Sequence, residues 1–427
     1  MAIDTPASLA ILGAGPIGLE AALYARFLGY DVTVYDSGQV ADSVLRWGHV
    51  QMFTPFAMNR SLLGLAAIQA QDESYQPPAD EELLTGNEWV ERYLLPLSQT
   101  DLIAEHLRLE TTVLAVGKEE LLKGELPGHE DRGDWSFRIL VRNAAGEERI
   151  ETADGVLDCT GVFGQANWLG HGGIPAAGEL ALRDAIEYRL PDILGRDRSR
   201  YAGRHTLLIG CGYSAATNAV ALAELVKSEP GTHVLWVTRR EGSAASGGPV
   251  AVIENDRLPE RSALARTANQ VASDSSTGFR YLPRTVIERI SRLPSSQQLS
   301  VEMSGEYPAT VAVDEIIANV GFRPDVRMFD ELQIHQCYAS EGPMKLAAAL
   351  AAKLNGRASG DCLDQTTCGP QTLLNPEPNF YILGAKSYGR RSDFLFSVGL
   401  DQIREAFTII GDRETLDLYA GAKRLLP

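Results

Sequence analysis

The 427-residue sequence predicts an α/β fold of two similar domains, each built around a parallel β-sheet. Two observations lead to this prediction. A pattern of apolar strand, glycine turn, helix and second strand begins at Ser8 and returns at His205. Each copy is followed by segments in which apolar and polar residues alternate, and then by a short apolar strand. Strands that alternate with helices are typical of parallel sheets, whereas the alternating segments are typical of antiparallel ones.

The amino-acid composition limits which partners the protein can bind and in which cellular compartment it acts. The chain has 39 Lys and Arg residues against 56 Asp and Glu residues, a net charge of −17. This acidity argues against nucleic acid or an anionic membrane as the main partner, because both attract basic proteins. No run reaches the roughly 18 apolar residues of a membrane span, and the apolar N-terminal stretch runs into a glycine turn, which predicts a buried strand rather than a signal peptide. Five cysteines without a Cys-x-x-Cys pair suit a reducing cytoplasm, where we expect the protein to act.

The first glycine turn fits the pattern G-x-G-x-x-G through Gly13, Gly15 and Gly18. The first glycine allows a tight turn, the second lets a pyrophosphate approach the backbone, and the third lets the helix pack on the strand. The helix start offers free N–H groups to the phosphates, so the pattern predicts a Rossmann-like dinucleotide site. The second strand ends at Asp36, where an acidic residue accepts hydrogen bonds from a ribose 2′-hydroxyl. The alternative is a glycine turn without a ligand.

The second glycine turn has Gly210 and Gly212 in the first two glycine positions and Ala215 in the third. Its second strand ends in Arg239 and Arg240 instead of an acid. Guanidinium groups bind phosphate, whereas a carboxylate repels it. The second site is therefore predicted to prefer NADP over NAD, and the alternative is that the two arginines only solvate the end of a strand.

These two turns and the strands that follow them resemble the superfamily of flavoproteins with paired FAD and NAD(P)H domains. That superfamily includes glutathione- and thioredoxin-reductase-like enzymes and the flavin-containing and N-hydroxylating monooxygenases. The resemblance implies two Rossmann-like, three-layer ββα dinucleotide-binding domains in a glutathione-reductase-like arrangement. It implies an FAD domain in two parts, residues 1–165 and 323–427, and an NADPH domain inserted at residues 166–322. The strand in GVLDCTGVFG resembles the one that returns the chain to the FAD domain and contains Thr160 and Gly161.

A motif near the C-terminus also resembles this superfamily. An apolar strand reaches Gly384, and a helix is expected to start near Phe394 and Leu395. The resemblance implies that this helix directs its N-terminus at the flavin, where its dipole stabilises negative charge on the reduced ring. The sequence departs from the family at Ala385, where many relatives have an aspartate that holds the ribityl chain.

The predicted cofactor-binding residues are those of the two turns, of the strand ends and of the C-terminal motif. Those expected to bind FAD are Gly13, Ala14, Gly15, Pro16, Ile17, Gly18, Asp36, Ser37, Trp47, Thr160, Gly161, Gly384, Phe394 and Leu395. Those expected to bind NADPH are Gly210, Gly212, Tyr213, Ser214, Ala215, Arg239 and Arg240. The sequence shows no cluster of metal ligands and identifies no catalytic residue.

Three destinations for the electrons stay open: a disulfide, oxygen with hydroxylation of a substrate, or a small acceptor such as a quinone. Reduction of a disulfide by the usual route needs a cysteine pair beside the flavin. Only Cys362 and Cys368, six residues apart in a loop, offer a weak candidate.

Oxygenation needs a pocket that excludes water, and an aromatic segment after Asp36 favours it. The segment reads VLRWGHVQMFTPFAMNRSLLG and contributes Trp47 at a position where monooxygenases have an aromatic residue. His49, Met52 and Asn59 are its candidate substrate residues, although the aromatic residues also fit a core beneath a loop. A clear motif F-x-G-x-x-x-H-x-x-x-[WYF], which marks Baeyer–Villiger and many flavin-containing monooxygenases, is missing, so the chain is not a standard member of those groups.

The favoured prediction is an FAD-dependent oxidoreductase that uses NADPH and O2 to oxygenate a small amine or sulfur compound through a flavin C4a-hydroperoxide. The first alternative is an NADPH-dependent reductase that passes electrons to a quinone or another small acceptor. The second is a non-catalytic flavoprotein that regulates a partner. A second copy of the chain is a further partner left open.

Overall fold

A computed structural model describes residues 3–242, 246–274, 278–294, 296–354 and 362–422. The chain divides into two compact units. The first unit comprises Met1–Gln165 and Arg323–Pro427, and the second comprises Ala166–Phe322.

The described residues form sixteen β-strands and eleven α-helices. The strands are β1 (Ser8–Leu12), β2 (Asp31–Tyr35), β3 (Leu107–Arg108), β4 (Thr112–Lys118), β5 (Phe137–Arg142), β6 (Glu148–Ala153), β7 (Gly155–Asp158), β8 (Ile186–Glu187), β9 (His205–Ile209), β10 (His233–Val237), β11 (Phe279–Leu282), β12 (Thr285–Arg292), β13 (Leu299–Gly305), β14 (Ala309–Val313), β15 (Glu315–Ala318) and β16 (Phe380–Ile382). The helices are α1 (Pro16–Phe27), α2 (Asp42–Leu45), α3 (Leu62–Gln71), α4 (Gly86–Trp89), α5 (Leu95–Ser98), α6 (Arg198–Tyr201), α7 (Tyr213–Ser228), α8 (Pro259–Ser273), α9 (Met344–Leu354), α10 (Phe396–Ile410) and α11 (Leu418–Ala422), with a π-helical turn at Val90–Leu94 between α4 and α5.

The first unit is built on a five-stranded parallel sheet in the order β16-β7-β1-β2-β3. Successive side chains of a strand point to opposite faces of the sheet, and the side chains on both faces of β1 are buried. Leu9 and Ile11 lie in a core with α1 and α10, whereas Ala10 and Leu12 lie in a core with β5 of the antiparallel sheet β4-β5-β6. The unit therefore has three layers: helices, a parallel sheet and an antiparallel sheet.

The second unit repeats this plan with a parallel sheet in the order β11-β10-β9-β15-β8. Leu207 and Ile209 of β9 pack toward the antiparallel sheet β12-β13-β14, whereas Leu208 packs with α7 and α8. The predicted fold class, α/β with two Rossmann-like three-layer domains, is confirmed. No helix in the part of the chain that the structure describes is long and apolar enough to cross a bilayer.

Candidate functional site

The first glycine turn connects β1 to α1, and its three glycines meet different demands. Gly13 has a left-handed φ of 102°, and a Cβ there would lie 2.8 Å from the carbonyl oxygen of Cys159. A Cβ on Gly18 would lie 1.8 Å from the carbonyl oxygen of Gly13. A Cβ on Gly15 would meet nothing within 4 Å. The fold itself thus requires Gly13 and Gly18, whereas Gly15 leaves open space in front of the backbone.

The start of α1 has the features of an anion site. Gly15 is its N-cap residue and has no side chain to cap the helix, and Pro16 follows at the first helical position. The first turn contains no acidic residue. The first backbone N–H groups of a helix lack intrahelical partners and carry the positive end of the helix dipole. An anion in front of Gly15 would satisfy them.

Asp36, which directly follows β2, is hydrogen-bonded through its side chain to the backbone of this turn. Its Oδ2 accepts a hydrogen bond from the N–H of Ala14 at 2.7 Å, and its Oδ1 accepts one from the N–H of Gly38 at 2.8 Å. Burial raises the pKa of Asp36, while the two N–H donors oppose this shift. Each oxygen of a carboxylate has a second lone pair, so Asp36 can still accept hydrogen bonds from a ligand. The neighbouring Ser37 is exposed.

The end of β7 is linked to the turn after β16 by a buried ion pair. Lys386 Nζ lies 2.6 Å from Asp158 Oδ2 and donates a hydrogen bond to Thr160 Oγ1 at 2.9 Å. The Thr160 hydroxyl in turn donates to Asp158 Oδ1 at 2.6 Å. Thr160 is exposed, and Gly161 follows it with a left-handed φ of 67°. The buried pair therefore orients an exposed hydroxyl beside the first turn.

The turn at Gly384 is fixed to α10 by a closed set of hydrogen bonds. The N–H of Gly384 donates to Gln402 Oε1 at 2.9 Å, and Gln402 Nε2 donates to Ser387 Oγ at 2.9 Å. The Ser387 hydroxyl donates back to the carbonyl oxygen of Gly384 at 2.7 Å. The sequence patterns indicated none of Asp158, Lys386, Gln402 or Ser387 as part of this site.

Ile17 lies where α1, the Gly384 turn and α10 come together. A Cβ on Gly384 would lie 3.3 Å from Ile17 Cγ1, and one on Gly399 would lie 2.2 Å from Ile17 Cδ1 and 2.9 Å from the Phe394 ring. The helix α10 begins two residues after Phe394, and its N-cap residue Leu395 makes no capping hydrogen bond. The structure thus brings Ile17, Gly384, Phe394 and Leu395 together, with two uncapped helix starts in one unit.

Asn59 is buried, and its side chain is used within its own loop. Its Nδ2 donates to the carbonyl oxygens of Thr54 and Pro55, each at 3.0 Å. The indole N–H of Trp89 donates to the carbonyl oxygen of Asn59 at 2.8 Å. These contacts give Asn59 a structural task in the loop from residue 54 to residue 59.

Three other candidates of the aromatic segment are half-buried: Trp47, His49 and Met52. A Cβ on Gly86 would lie 2.8 Å from the Trp47 ring, so this indole packs against the start of α4. Trp47 and Met52 pack against the core of the first unit. The part of this segment at Trp47 and Met52 is therefore continuous with that core.

Cys368 packs near the start of α10. It contacts a small cluster that Phe394 and Leu395 also contact, formed by Leu346, Leu350, Tyr388 and Val398. Cys362 lies in a short 3-10 helix, Cys362–Asp364. The described residues contain no disulfide bond.

The second glycine turn connects β9 to α7. Gly210 has a φ of 130°, and a Cβ there would lie 2.2 Å from the carbonyl oxygen of Asn319. Gly212 is the N-cap residue of α7, which has no capping hydrogen bond, and a Cβ there would meet nothing within 4 Å. Ala215 is fully buried in the third position, while Tyr213 and Ser214 are at least partly exposed. This turn offers the same open helix start as the first one.

Arg239 and Arg240 follow the end of β10, and both are exposed. Neither forms an ion pair with any residue that the structure describes. Thr238 fixes the backbone beside them, because its hydroxyl donates to the carbonyl oxygen of Arg240 at 2.7 Å. Two cationic side chains thus remain available for a ligand. Within the described ranges, no group of three or more His, Cys, Asp and Glu side chains is arranged to hold a metal ion.

Several solved structures resemble this chain over almost its whole length. The cadaverine monooxygenase DfoA of Erwinia amylovora, solved with FAD, has a TM-score of 0.65 at 12% identity, covering 97% of this chain and 96% of its own. The bacillithiol disulfide reductase Bdr (YpdA) of Bacillus cereus has a TM-score of 0.63 at 17% identity, covering 96% and 99%. The ornithine N-hydroxylase KtzI of Kutzneria sp. 744 has a TM-score of 0.62 at 13% identity, covering 96% and 100%.

The chain has the fold of these three enzymes. The resemblance inferred from the glycine turns is thereby confirmed at the level of the fold. No protein-family model matches the chain. No curated protein matches it by sequence.

Proposed function

We propose that this chain is an oxidoreductase that binds FAD in its first unit and NADPH in its second. The observation that carries the proposal is the contrast between two otherwise similar open turns. The strand beside the first turn ends in the carboxylate of Asp36, and the strand beside the second ends in Arg239 and Arg240. A carboxylate suits a ribose with a free 2′-hydroxyl, whereas a pair of arginines suits a 2′-phosphate.

The residues present fit FAD in the first unit. Gly15 leaves open space before an uncapped helix, as a pyrophosphate requires. Asp36 would accept hydrogen bonds from the adenosine ribose, and the exposed Thr160 hydroxyl would lie beside the phosphates or the ribityl chain. The uncapped start of α10 would stabilise negative charge on a reduced flavin ring. With Ala385 in place of an acid, we assign the polar contacts of this region to Thr160, held by Asp158 and Lys386.

The second unit fits NADPH in the same way. Gly212 leaves open space before the uncapped start of α7, and the two arginines lie at the end of the next strand. When both cofactors are bound, NADPH supplies a hydride and FAD accepts it, while the protein contributes binding and orientation.

Within this class we favour a monooxygenase that acts on a small amine or sulfur compound. Two of the similar structures are enzymes named for the oxygenation of amines, cadaverine and ornithine. Burial raises the pKa of the Cys159 thiol, which lies beside the first turn, and a protonated thiol is a poor nucleophile. A cysteine that reduced disulfides would need the opposite shift. The half-buried Trp47 and Met52, which pack against the core, would supply an apolar wall of the kind that excludes water if the flavin is bound beside them.

A specific observation supports a reductase as the second candidate. Cys368 packs against the same cluster as Phe394 and Leu395, the residues that precede and cap α10. A thiol near the start of that helix would be placed to exchange electrons with a bound flavin. The similarity to a bacillithiol disulfide reductase agrees with this alternative.

Purified protein tests the proposal in two steps. The first step measures the absorbance of bound FAD and the oxidation of NADPH under anaerobic conditions with added flavin. A colourless chain that takes up no FAD on reconstitution contradicts the whole proposal. The second step admits O2 with a panel of diamines, amino acids and thioethers and compares oxygenated product with hydrogen peroxide. Product that depends on substrate supports the monooxygenase, whereas NADPH oxidation that requires a disulfide or a quinone supports the reductase.

A further inference from the structure

The carboxylate of Glu241 directly follows the arginine pair of the second unit. Its side chain is 64% exposed, so it shares the solvent-facing surface after β10 with Arg239 and Arg240. A carboxylate in this position repels a phosphate group and favours a ribose diol. The sequence around the pair therefore contains an element that opposes the binding of a 2′-phosphate.

Arg284 compensates this charge. Its guanidinium forms ion pairs with Glu241 on one side and with Glu306 on the other. Its Nη1 faces Glu241, while its Nε and Nη2 face Glu306. Because all three guanidinium nitrogens of Arg284 already donate to glutamates, Arg284 is suited to neutralise these acidic neighbours rather than to bind the phosphate itself.

The fold holds Arg284 in this position through its backbone. Arg284 lies between β11 and β12 with a left-handed φ of 45°. The N–H of the next residue, Thr285, donates to the carbonyl oxygen of Thr238 at 2.9 Å, which ties the connection to the end of β10. The N–H of Glu306 donates to the carbonyl oxygen of Arg284 at 3.0 Å, and a Cβ on Gly305 would lie 2.1 Å from the same oxygen. Thr238 also fixes Arg240 through its hydroxyl, so one residue positions both the arginine pair and the connection that carries Arg284.

We propose that Arg284 is a specificity-determining residue of the second unit, which masks Glu241 so that Arg239 and Arg240 can bind a 2′-phosphate. The inference rests on the proposed use of NADPH. The five charged side chains at this strand end, three arginines and two glutamates, have a net charge of +1. R284Q lowers this charge to zero, and the double variant R284Q/E241Q returns it to +1.

Isothermal titration calorimetry with 2′,5′-ADP and 5′-AMP tests the inference on the full chain, because these two probes differ only in the 2′-phosphate. R284Q should reduce the preference for 2′,5′-ADP by roughly two- to fivefold, the range of exposed ion pairs. R284Q/E241Q should restore it, and E241Q alone should keep or increase it. R289Q is the matched control, because it removes one positive charge from the exposed pair of Arg289 and Glu302 farther along β12. Circular dichroism confirms that each variant is folded.

The outcomes separate this inference from the function on which it rests. Wild-type protein that binds the two probes equally contradicts the use of NADPH. Wild-type protein that prefers 2′,5′-ADP, with R284Q unchanged, keeps that function and overturns the masking role. A loss of preference in R284Q that the double variant does not repair also overturns masking, because it assigns Arg284 a direct contact with the phosphate. In 0.5 M salt the preferences of wild type and R284Q should converge, because screening weakens the repulsion by Glu241 together with the attraction by the arginine pair; roughly 0.5 M shortens the Debye length below 5 Å. A difference between the two proteins that does not change with salt overturns the charge argument.

Discussion

Lys386 Nζ lies 2.6 Å from Asp158 Oδ2, and the two side chains are only 2% and 0% exposed. This pair joins the ends of β7 and β16, the strands that lead into two of the candidate flavin-binding turns. The hydroxyl of the exposed Thr160 bridges the two charges. A buried ion pair adds little net stability, because desolvation of the charges offsets their attraction. The pair is better understood as a device that fixes the orientation of Thr160.

Removal of one partner should be far more harmful than removal of both. K386M leaves the buried carboxylate of Asp158 without its cation and should lower the free energy of unfolding by roughly 3–5 kcal/mol. K386M/D158N should recover a substantial part of that loss. Urea unfolding measures both, with K345M as the control because Lys345 is exposed on α9. If K386M were no less stable than K345M, the Lys386–Asp158 pair would not hold the two strand ends together.

The open space in front of Gly15 and Gly212, at the starts of α1 and α7, leads to a second prediction. A methyl group on Gly15 or Gly212 meets no protein atom within 4 Å, so G15A and G212A should stay folded and lose at most about 1 kcal/mol from the weaker N-cap. The same methyl would occupy the approach of a pyrophosphate. G15A should therefore lose FAD, and G212A should lose NADPH while it keeps FAD. Equilibrium dialysis measures both ligands.

A glycine elsewhere provides the control for these two variants. A methyl group on Gly117 in β4 would also meet no atom within 4 Å, and this residue lies in the antiparallel sheet. G117A should keep both ligands. Normal FAD binding by G15A would remove the first turn from the proposed site.

Local patterns revealed the fold and the two turns, because a strand, a glycine turn and a helix are contiguous in sequence. Gly13, Gly15 and Gly18 span six residues, and their spacing alone carries the geometry. The contacts that support the site were not predictable in this way. Lys386 bonds to Thr160 across 226 positions, and both belong to the turns of the first unit. No periodicity links such residues, so only the folded chain shows that they meet.

Asn59 illustrates a related limit. Its polar side chain within an aromatic segment predicts a contact with substrate or flavin, which stays a prediction, and the structure shows that the amide also closes its own loop. An asparagine that bonds to nearby backbone and one that binds a ligand look alike in sequence.

The buried carboxyl group of Glu20 predicts a dependence of stability on pH. Burial raises the pKa of Glu20 from 4.5 to about 7, and the Tyr93 hydroxyl donates a hydrogen bond to its Oε1 at 2.5 Å. The folded chain therefore binds this proton more tightly than the unfolded chain. Stability from this group is fully present below pH 4.5 and is lost as the pH rises through about 7.

Substitution of Glu20 by glutamine should remove this loss. Between pH 5 and pH 8, the free energy of unfolding of the wild type should fall by roughly 2–3 kcal/mol more than that of E20Q. Urea unfolding at both pH values measures the difference. E224Q is the control, since Glu224 on α7 is exposed and its variant should follow the wild type. Parallel behaviour of E20Q and E224Q would show that Glu20 is ionised in the fold at neutral pH.

The arginine pair predicts which nicotinamide cofactor the chain uses. R239A/R240A should weaken the binding of NADPH by roughly tenfold or more, because charge-assisted hydrogen bonds to phosphate are lost. Binding of NADH, which lacks the 2′-phosphate, should change little. The two dissociation constants are measured by calorimetry in the same buffer, because salt screens this interaction. Equal weakening of both cofactors would assign the arginines to a part that NADPH and NADH share.

Cys368 distinguishes the two candidate functions, because it is the thiol that packs against the cluster at the start of α10. If the protein is a monooxygenase, C368A keeps the rate of NADPH oxidation and the yield of oxygenated product.

If it is a disulfide reductase, C368A abolishes reduction of the disulfide, while flavin reduction by NADPH stays intact because the hydride step does not need a thiol. C337A is the matched control, because Cys337 lies in the same unit but is not part of the cluster at the start of α10. Because C368A removes one sulfur atom from a small cluster, it should lower the free energy of unfolding by about 1 kcal/mol. The assays are therefore run well below the melting temperature, where both variants are folded. A variant that loses disulfide reduction at unchanged FAD content would overturn the monooxygenase in favour of the reductase, whereas oxygenated product at the wild-type yield would leave Cys368 as a packing residue.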